Sequence, residues 1–256
     1  LRGGAPGAQL AALKEMRNQV IGSRARKACF VAAGAAEAVA ALLAGALDAA
    51  ERAGGGAGSA GGGVGGGEAQ LVSGTIIQAS SVLGSLACGA PESLAAVLAC
   101  RPVELLVRTL RLDDPKVVET GARSLKMICH SPSNSGGDPP PGDLLVHSQA
   151  IGQLLRLLRD VDSLTAEVTA SVLARCCRSQ RQQAAIAEAG GVPALTALLG
   201  SSLLRVQEAG LEALAGLTTQ NRDLSAALYW QEGALAHIGQ LARSPSPRMR
   251  LGAATC

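Results

Sequence analysis

The chain has 256 residues, of which 48% are hydrophobic, 17% charged and 1% aromatic. That composition supplies a sizeable core and is too apolar for a disordered chain, and alanine and leucine, about a third of all residues, favour thin layers of packed helix over a thick β core. A net charge of +3 gives little attraction to a phosphate backbone, and three aromatics (Phe30, Tyr229, Trp230) are too few for the stacking platform of a single-strand nucleic-acid binder.

Residues 1–22 read as one amphipathic helix carrying Leu13, Met16 and Val20. The basic group Arg24, Arg26 and Lys27 reads as the solvated start of the next helix. The apolar stretch from Ala28 to Leu47 is broken by Glu37 and small residues, so no membrane span is expected. Residues 54–67 hold ten glycines in fourteen positions and predict a flexible insert outside the helices. Their formal G-x-G-x-x-G, Gly56 to Gly61, follows no strand and predicts no phosphate site. Residues 131–143 contain three consecutive prolines and predict an exposed loop.

Between these interruptions the apolar positions recur at helical spacing, and the helical phrases themselves repeat. GAAEAVAALL (34–43), RPVELLVRTL (101–110), AIGQLLRLLR (150–159), GGVPALTALLG (190–200) and GALAHIGQLA (233–242) are each a helix start followed by apolar pairs one turn apart. Aligned on Leu42, Leu110, Leu157, Leu198 and Leu241 they give a period near 41–43 once the two inserts are set aside. Longer amphipathic stretches follow at 75–87, 117–129, 165–177 and 206–218. Short stretches such as 92–100 and 181–190 precede the second helices. The unit is a short helix, a second helix and a long third helix. Small residues on the third helices, among them Gly121, Ala122, Ala170 and Gly210, predict close helix approach.

No constellation of catalytic residues accompanies this pattern. His130, His147 and His237 lack carboxylate or cysteine partners at metal-ligand spacing, so neither a metal nor a cofactor is expected. Seven cysteines with no C-x-x-C pair read as buried, reduced thiols, and the neighbours Cys176 and Cys177 point about 100° apart on a helix, a poor geometry for a disulfide.

The phrases AEAGGVPALTALL (187–199) and VQEAGLEALAGLT (206–218) resemble the second and third helices of the armadillo repeat family. The resemblance covers residues 24–256 apart from the two inserts. It implies an all-α fold, a right-handed superhelical solenoid of armadillo repeats, with residues 1–22 as the third helix of a leading partial repeat and 23–256 as the array. The order of phrases, from residues 13–35 through 82–89 and 124–132 to 174–186, is similar to members that scaffold the GID/CTLH ubiquitin ligase complex. That likeness implies a non-catalytic arm whose partners are scaffold proteins bearing LisH and CTLH motifs, with a substrate receptor held by a C-terminal half, in cytoplasm and nucleus. The alternative within the family is an importin-α-like receptor for cargo peptides.

Peptide-carrying members place a tryptophan and an asparagine on successive turns of each third helix. Aligned on Leu83, Leu125, Leu173 and Leu214, this chain has Ser81, Arg123, Ser171 and Glu212 at the tryptophan position. It has Ser85, Met127, Arg175 and Gly216 at the asparagine position. The ladder is absent, which argues against peptide carriage. The resemblance instead implies a side-chain-specific partner surface on Arg123, Met127, Ser171, Arg175 and Glu212. The sequence ends inside a helical pattern, so it is read as a piece of a longer protein with an exposed apolar edge near Leu241 and Leu251. Limited proteolysis followed by mass mapping is expected to cut first within 54–67, where the sequence offers nothing to bury; first cuts inside a third helix would contradict this reading.

Overall fold

The structure is a computed structural model that describes residues 3–54, 65–88, 91–131, 141–147 and 150–256. Among the described residues every regular element is a helix. The chain divides into two compact units, Leu1–Asp138 and Pro139–Cys256. In the first, α1 (Pro6–Val20) precedes two helix triplets, α2 (Arg24–Ala32), α3 (Ala35–Gly54), α4 (Gly65–Ala87), then α5 (Pro91–Ala99), α6 (Pro102–Thr109), α7 (Pro115–His130). The second holds three triplets. They are α8 (Pro141–His147), α9 (Ile151–Leu157), α10 (Leu164–Arg175); α11 (Gln180–Glu188), α12 (Gly191–Leu198), α13 (Leu204–Thr218); and α14 (Arg222–Trp230), α15 (Ala234–Leu241), α16 (Pro247–Thr255).

Local chemistry sets the rhythm of each triplet. First helices begin where a side chain caps an orphan N–H. Ser23 accepts from the Arg26 amide, Ser179 forms a capping box with Gln182, and Asn221 accepts from the Leu224 amide. They end at a corner that takes the left-handed conformation, with Gly34 at φ 73°, Gly190 at 88° and Gly233 at 76°. At the Gly34 corner α3 bends away from α2 by 76°. Arg101 occupies the matching corner between α5 and α6 at φ 52°, where its Cβ is crowded. Third helices start at Asp114 and Ser163, whose side chains accept from Lys116 N and Ala166 N.

Each unit buries a core of aliphatic side chains. Leu43, Leu83, Leu106 and Leu125 are fully buried in the first unit, as are Leu154, Leu173, Leu195 and Leu214 in the second. None of the three aromatics is buried; Tyr229 and Trp230 are exposed. Thin layers of leucine and alanine leave no deep volume for a ring to fill.

Third helices of successive triplets lie side by side, α1 with α4 and α4 with α7 in the first unit, α10 with α13 and α13 with α16 in the second. The approach is close enough to favour glycine. A Cβ on Gly84 would stand 3.0 Å from the Ser124 backbone, one on Gly216 2.9 Å from Cys177 Cβ, and one on Gly252 3.1 Å from Leu211 Cβ. Within one triplet, a Cβ on Gly121 would fall 1.8 Å from Thr109 Oγ1.

Four sequence expectations need correction. Gly54 closes α3 and Gly65–Gly67 open α4, so the glycine insert is shorter at both ends than 54–67; the rest of it lies outside the described residues. Likewise Pro141, Gly142 and Asp143 form the first turn of α8, where proline is tolerated and an acidic residue favoured, and Ser131 is the C-cap of α7. Residues 132–140 of the expected loop lie outside the described residues. Lys27 is not solvated; it is 8% exposed and donates to the Cys88 carbonyl at the end of α4. Leu241 is buried, whereas Leu251 is 68% exposed.

Two stability outcomes follow from this backbone. Gly121→Ala should destabilise the chain by about 1–3 kcal/mol through overpacking, and adding Thr109→Ala should recover part of that loss. Arg101→Gly should raise stability by about 1 kcal/mol, because relief of the left-handed strain exceeds the loss of an exposed pair with Glu104. Chemical denaturation midpoints read both.

Candidate functional site

Stacked repeats present extended faces, and the third helices carry long ones. Among the described residues no three His, Cys, Asp or Glu side chains come together as a metal site would require. No single helix there is long and apolar enough to cross a membrane. The five residues singled out from the sequence divide between the units. Arg123 and Met127 lie on α7; Ser171, Arg175 and Glu212 lie on α10 and α13.

In the first unit Arg123 is exposed and its guanidinium donates to Glu119 Oε1 at 2.6 Å, one turn back. Met127 is half-buried, and its carbonyl accepts from Ser131 Oγ at 2.7 Å. The Cys88 thiol also donates to that carbonyl, at 3.5 Å. This face therefore offers a guanidinium held by a carboxylate, with a thioether beside it. In the second unit Glu212 is exposed on α13, Arg175 is half-buried at the end of α10, and Ser171 is turned inward with 6% exposure. Arg175 and Glu212 present charge there, while Ser171 packs.

The geometry gives a reason for the missing ladder in this unit. Gly216 stands where an asparagine would, and a Cβ there would stand 2.9 Å from Cys177 Cβ, just past the end of α10. Ser85 and Ser171 are buried as well. The helices have closed over positions that a peptide-carrying groove keeps open.

A second set of polar residues was not read from the sequence. Four residues after its N-cap, a first helix sends a side chain to the carbonyl end of a third helix. Lys27 follows Ser23 and reaches Cys88 O. Gln183 follows Ser179, and its amide donates to Gly216 O at 2.9 Å and Thr219 O at 3.0 Å. Ser225 follows Asn221 and donates to Thr218 O at 3.3 Å. Asn221 in turn donates to Gln183 Oε1 at 3.0 Å, and Gln182 donates to Asp143 Oδ1 at 2.6 Å, so consecutive first helices are joined as well. The available signal was a polar residue four places after each capping Ser or Asn. The loops carry a similar link. Asp162 accepts from Ser201 Oγ, the Ser202 amide and Ser202 Oγ at 2.8–3.0 Å, and these bonds hold its carboxyl below its ordinary range. On the second helices Arg108 bridges Asp48 and Glu51 at 2.6 and 2.8 Å, and its hydrogen bonds hold the Glu51 carboxyl low.

Triplets repeating near every 42 residues, glycine corners and third helices side by side within each unit decide the architecture. The fold is that of armadillo repeat proteins. Among solved structures, an engineered protein matches 100% of the chain and 91% of its own, with a TM-score of 0.77 and 23% identity. A designed armadillo repeat protein in complex with the peptide (KR)4 matches 96% of the chain and 90% of its own at a TM-score of 0.74 and 18% identity. No protein-family model matches the chain. Among curated proteins it is similar to armadillo repeat-containing protein 8. Identity to the mouse protein is 24% over 214 residues, covering 84% of this chain and 28% of that one. Identity to the zebrafish protein is 22% over 250 residues, covering 94% of this chain and 32% of that one. The armadillo array here thus spans a little under a third of the curated relatives it matches.

The cysteines are less uniformly buried than the sequence suggested, and their burial orders their reactivity. Cys29 is exposed, Cys176 and Cys177 are buried, and the rest lie between. Burial pushes the Cys177 thiol up to about 12, and it donates to Leu173 O at 3.1 Å. An aromatic disulfide reagent should therefore label Cys29 first at neutral pH and leave Cys176 and Cys177 intact until the chain unfolds. Mass mapping of the labelled thiols checks the order.

Proposed function

We propose that this armadillo array is a non-catalytic arm of a GID/CTLH-type ubiquitin ligase. On this reading its third-helix faces dock on scaffold subunits bearing LisH and CTLH motifs, and the assembly acts in ubiquitin-dependent degradation in cytoplasm and nucleus. The fold supports a protein-interaction scaffold, and among the described residues no cluster of His, Cys, Asp or Glu could hold a metal ion. The observation that carries the finer reading is the alignment with armadillo repeat-containing protein 8, which runs through 84% of the chain. Substrate reception is assigned on this reading to a C-terminal half of such a scaffold.

Side-chain chemistry supports a folded partner over a peptide main chain. Ser81, Arg123, Ser171 and Glu212 stand at one ladder position, and Ser85, Met127, Arg175 and Gly216 at the other. None of these pairs can repeat one amide-to-backbone contact along an extended peptide, as importin-α-like cargo carriage requires. Exposed Arg123 and half-buried Arg175 suit carboxylates on the partner, through charge-assisted and often bidentate bonds.

The test is co-purification of the chain with LisH/CTLH scaffold subunits. Arg123→Glu and Arg175→Glu, made separately and together, should each weaken association, by about 2–5 kcal/mol where the guanidinium is buried at the interface. Arg123→Glu also removes the bond to Glu119, so its effect on melting is measured alongside and should stay within about 0.5 kcal/mol. Association unchanged by either substitution would rule out these faces, and tight binding of a basic cargo peptide to the third helices would favour the carrier reading.

A further inference from the structure

Two of the three aromatic residues of the chain sit next to each other on the surface. Trp230 is 81% exposed and Tyr229 57%, at the C-terminal end of α14. Their rings meet edge to face, with centroids 5.1 Å apart and planes at 89°. Aromatic area of this kind in water is unfavourable and is concentrated at the energetic centres of protein interfaces.

The preceding triplet shows whether a further helical layer would cover Trp230. Counting from the N-caps Ser179 and Asn221, Leu228 falls on Ile186 and Trp230 on Glu188. Ile186 and Leu228 are both buried, as stacking requires. Glu188 stays exposed although α14, α15 and α16 follow it. Trp230 therefore points outward, not along the stacking direction. The same outward stripe on α11 reads Gln180, Ala184 and Glu188, all exposed; on α14 it reads Arg222, Ala226 and Trp230. Both stripes begin with a polar side chain and pass through alanine, and they part company only at the last position. There an aromatic has replaced a charge, at a place that repeat packing leaves open.

At the ring end of these two first helices the charged side chains are both acidic. Glu232 follows two residues after Trp230, and Glu188 occupies the matching place on the neighbouring first helix. Both are exposed, and neither has a hydrogen bond or ion pair among the described residues. The cations of these two helices, Arg181 and Arg222, lie at their opposite ends, about two turns or 10–12 Å from the ring end. The C-terminal pole of α14 adds partial negative charge at the same place. Ring faces, carboxylates and a helix C-terminus all favour a cation.

We propose that the outward face of α14, built on Tyr229 and Trp230 and flanked by Glu188 and Glu232, is a second protein-docking surface that takes an arginine- or lysine-bearing segment of a partner chain. It lies on a first helix, apart from the third-helix faces, and stands whether or not the ligase assignment does.

The test uses the 256-residue chain and fluorescein-labelled glycine–serine peptides of equal length that are arginine-rich, glutamate-rich or uncharged, read by anisotropy. The arginine-rich peptide should bind, and the other two should not. Trp230→Ala should weaken it about ten-fold, the scale of a lost aromatic anchor. Glu188→Gln with Glu232→Gln should weaken it about three- to ten-fold and flatten its salt dependence. Circular dichroism confirms the fold of each variant, and Glu232→Lys serves as an independent reading should Trp230→Ala lose helicity. Equal binding of all three peptides, or arginine-peptide binding indifferent to Trp230→Ala and Glu232→Lys, overturns the proposal. So does self-association abolished by Trp230→Ala, which puts a second copy on this face, or Trp230-dependent binding to anionic phosphatidylserine vesicles without arginine-peptide binding, which puts a lipid surface there.

Discussion

The close approach of neighbouring third helices is the constraint on which the rest of this structure depends. Gly84 against Ser124 and Gly216 against Cys177 set a separation that a larger residue could enter only by displacing its neighbour. That separation explains the composition, since leucine and alanine fill thin layers and rings find no room. It also bears on function, because the side chains a peptide-carrying groove needs are excluded where the helices close, at Gly216 above all. Packing this tight has no spare volume, and a methyl group in the wrong place is felt across the joint.

Helicity and repeat period were legible in the sequence because both rest on spacing. Apolar residues at one-turn intervals and phrases recurring near every 42 residues survive any detail of packing. What lay hidden required contacts distant in sequence. Lys27 reads as a surface cation beside Arg24 and Arg26, and only the fold brings it to the Cys88 carbonyl, 61 residues away. Gln182 and Gln183 look alike on paper, yet one completes a capping box and the other ties α11 to the carbonyl end of α13. The boundaries of the glycine insert were misjudged because helix propagation from α4 draws in Gly65–Gly67.

At the third-helix faces the sequence supplied identity, and the structure supplied orientation. Arg123, Arg175 and Glu212 retain some or much of their surface, whereas Ser171 faces inward. Alignment on a leucine fixes a helical phase only to within a fraction of a turn. At 100° per residue, that fraction separates a groove residue from a packed one. The aromatic pair escaped the repeat-based reading for a different reason: it belongs to one repeat alone and departs from the pattern that made the others recognisable.

The location of that pair has an optical consequence. Trp230 is the sole tryptophan and Tyr229 the sole tyrosine, so the ultraviolet signature of the chain originates almost entirely from one end of α14. Emission followed during heating reports the last triplet alone, whereas backbone ellipticity averages over all sixteen described helices. In a repeat protein, where stability is distributed along the array, the gap between those two melting curves is a direct measure of how strongly the terminal triplet is coupled to its neighbours.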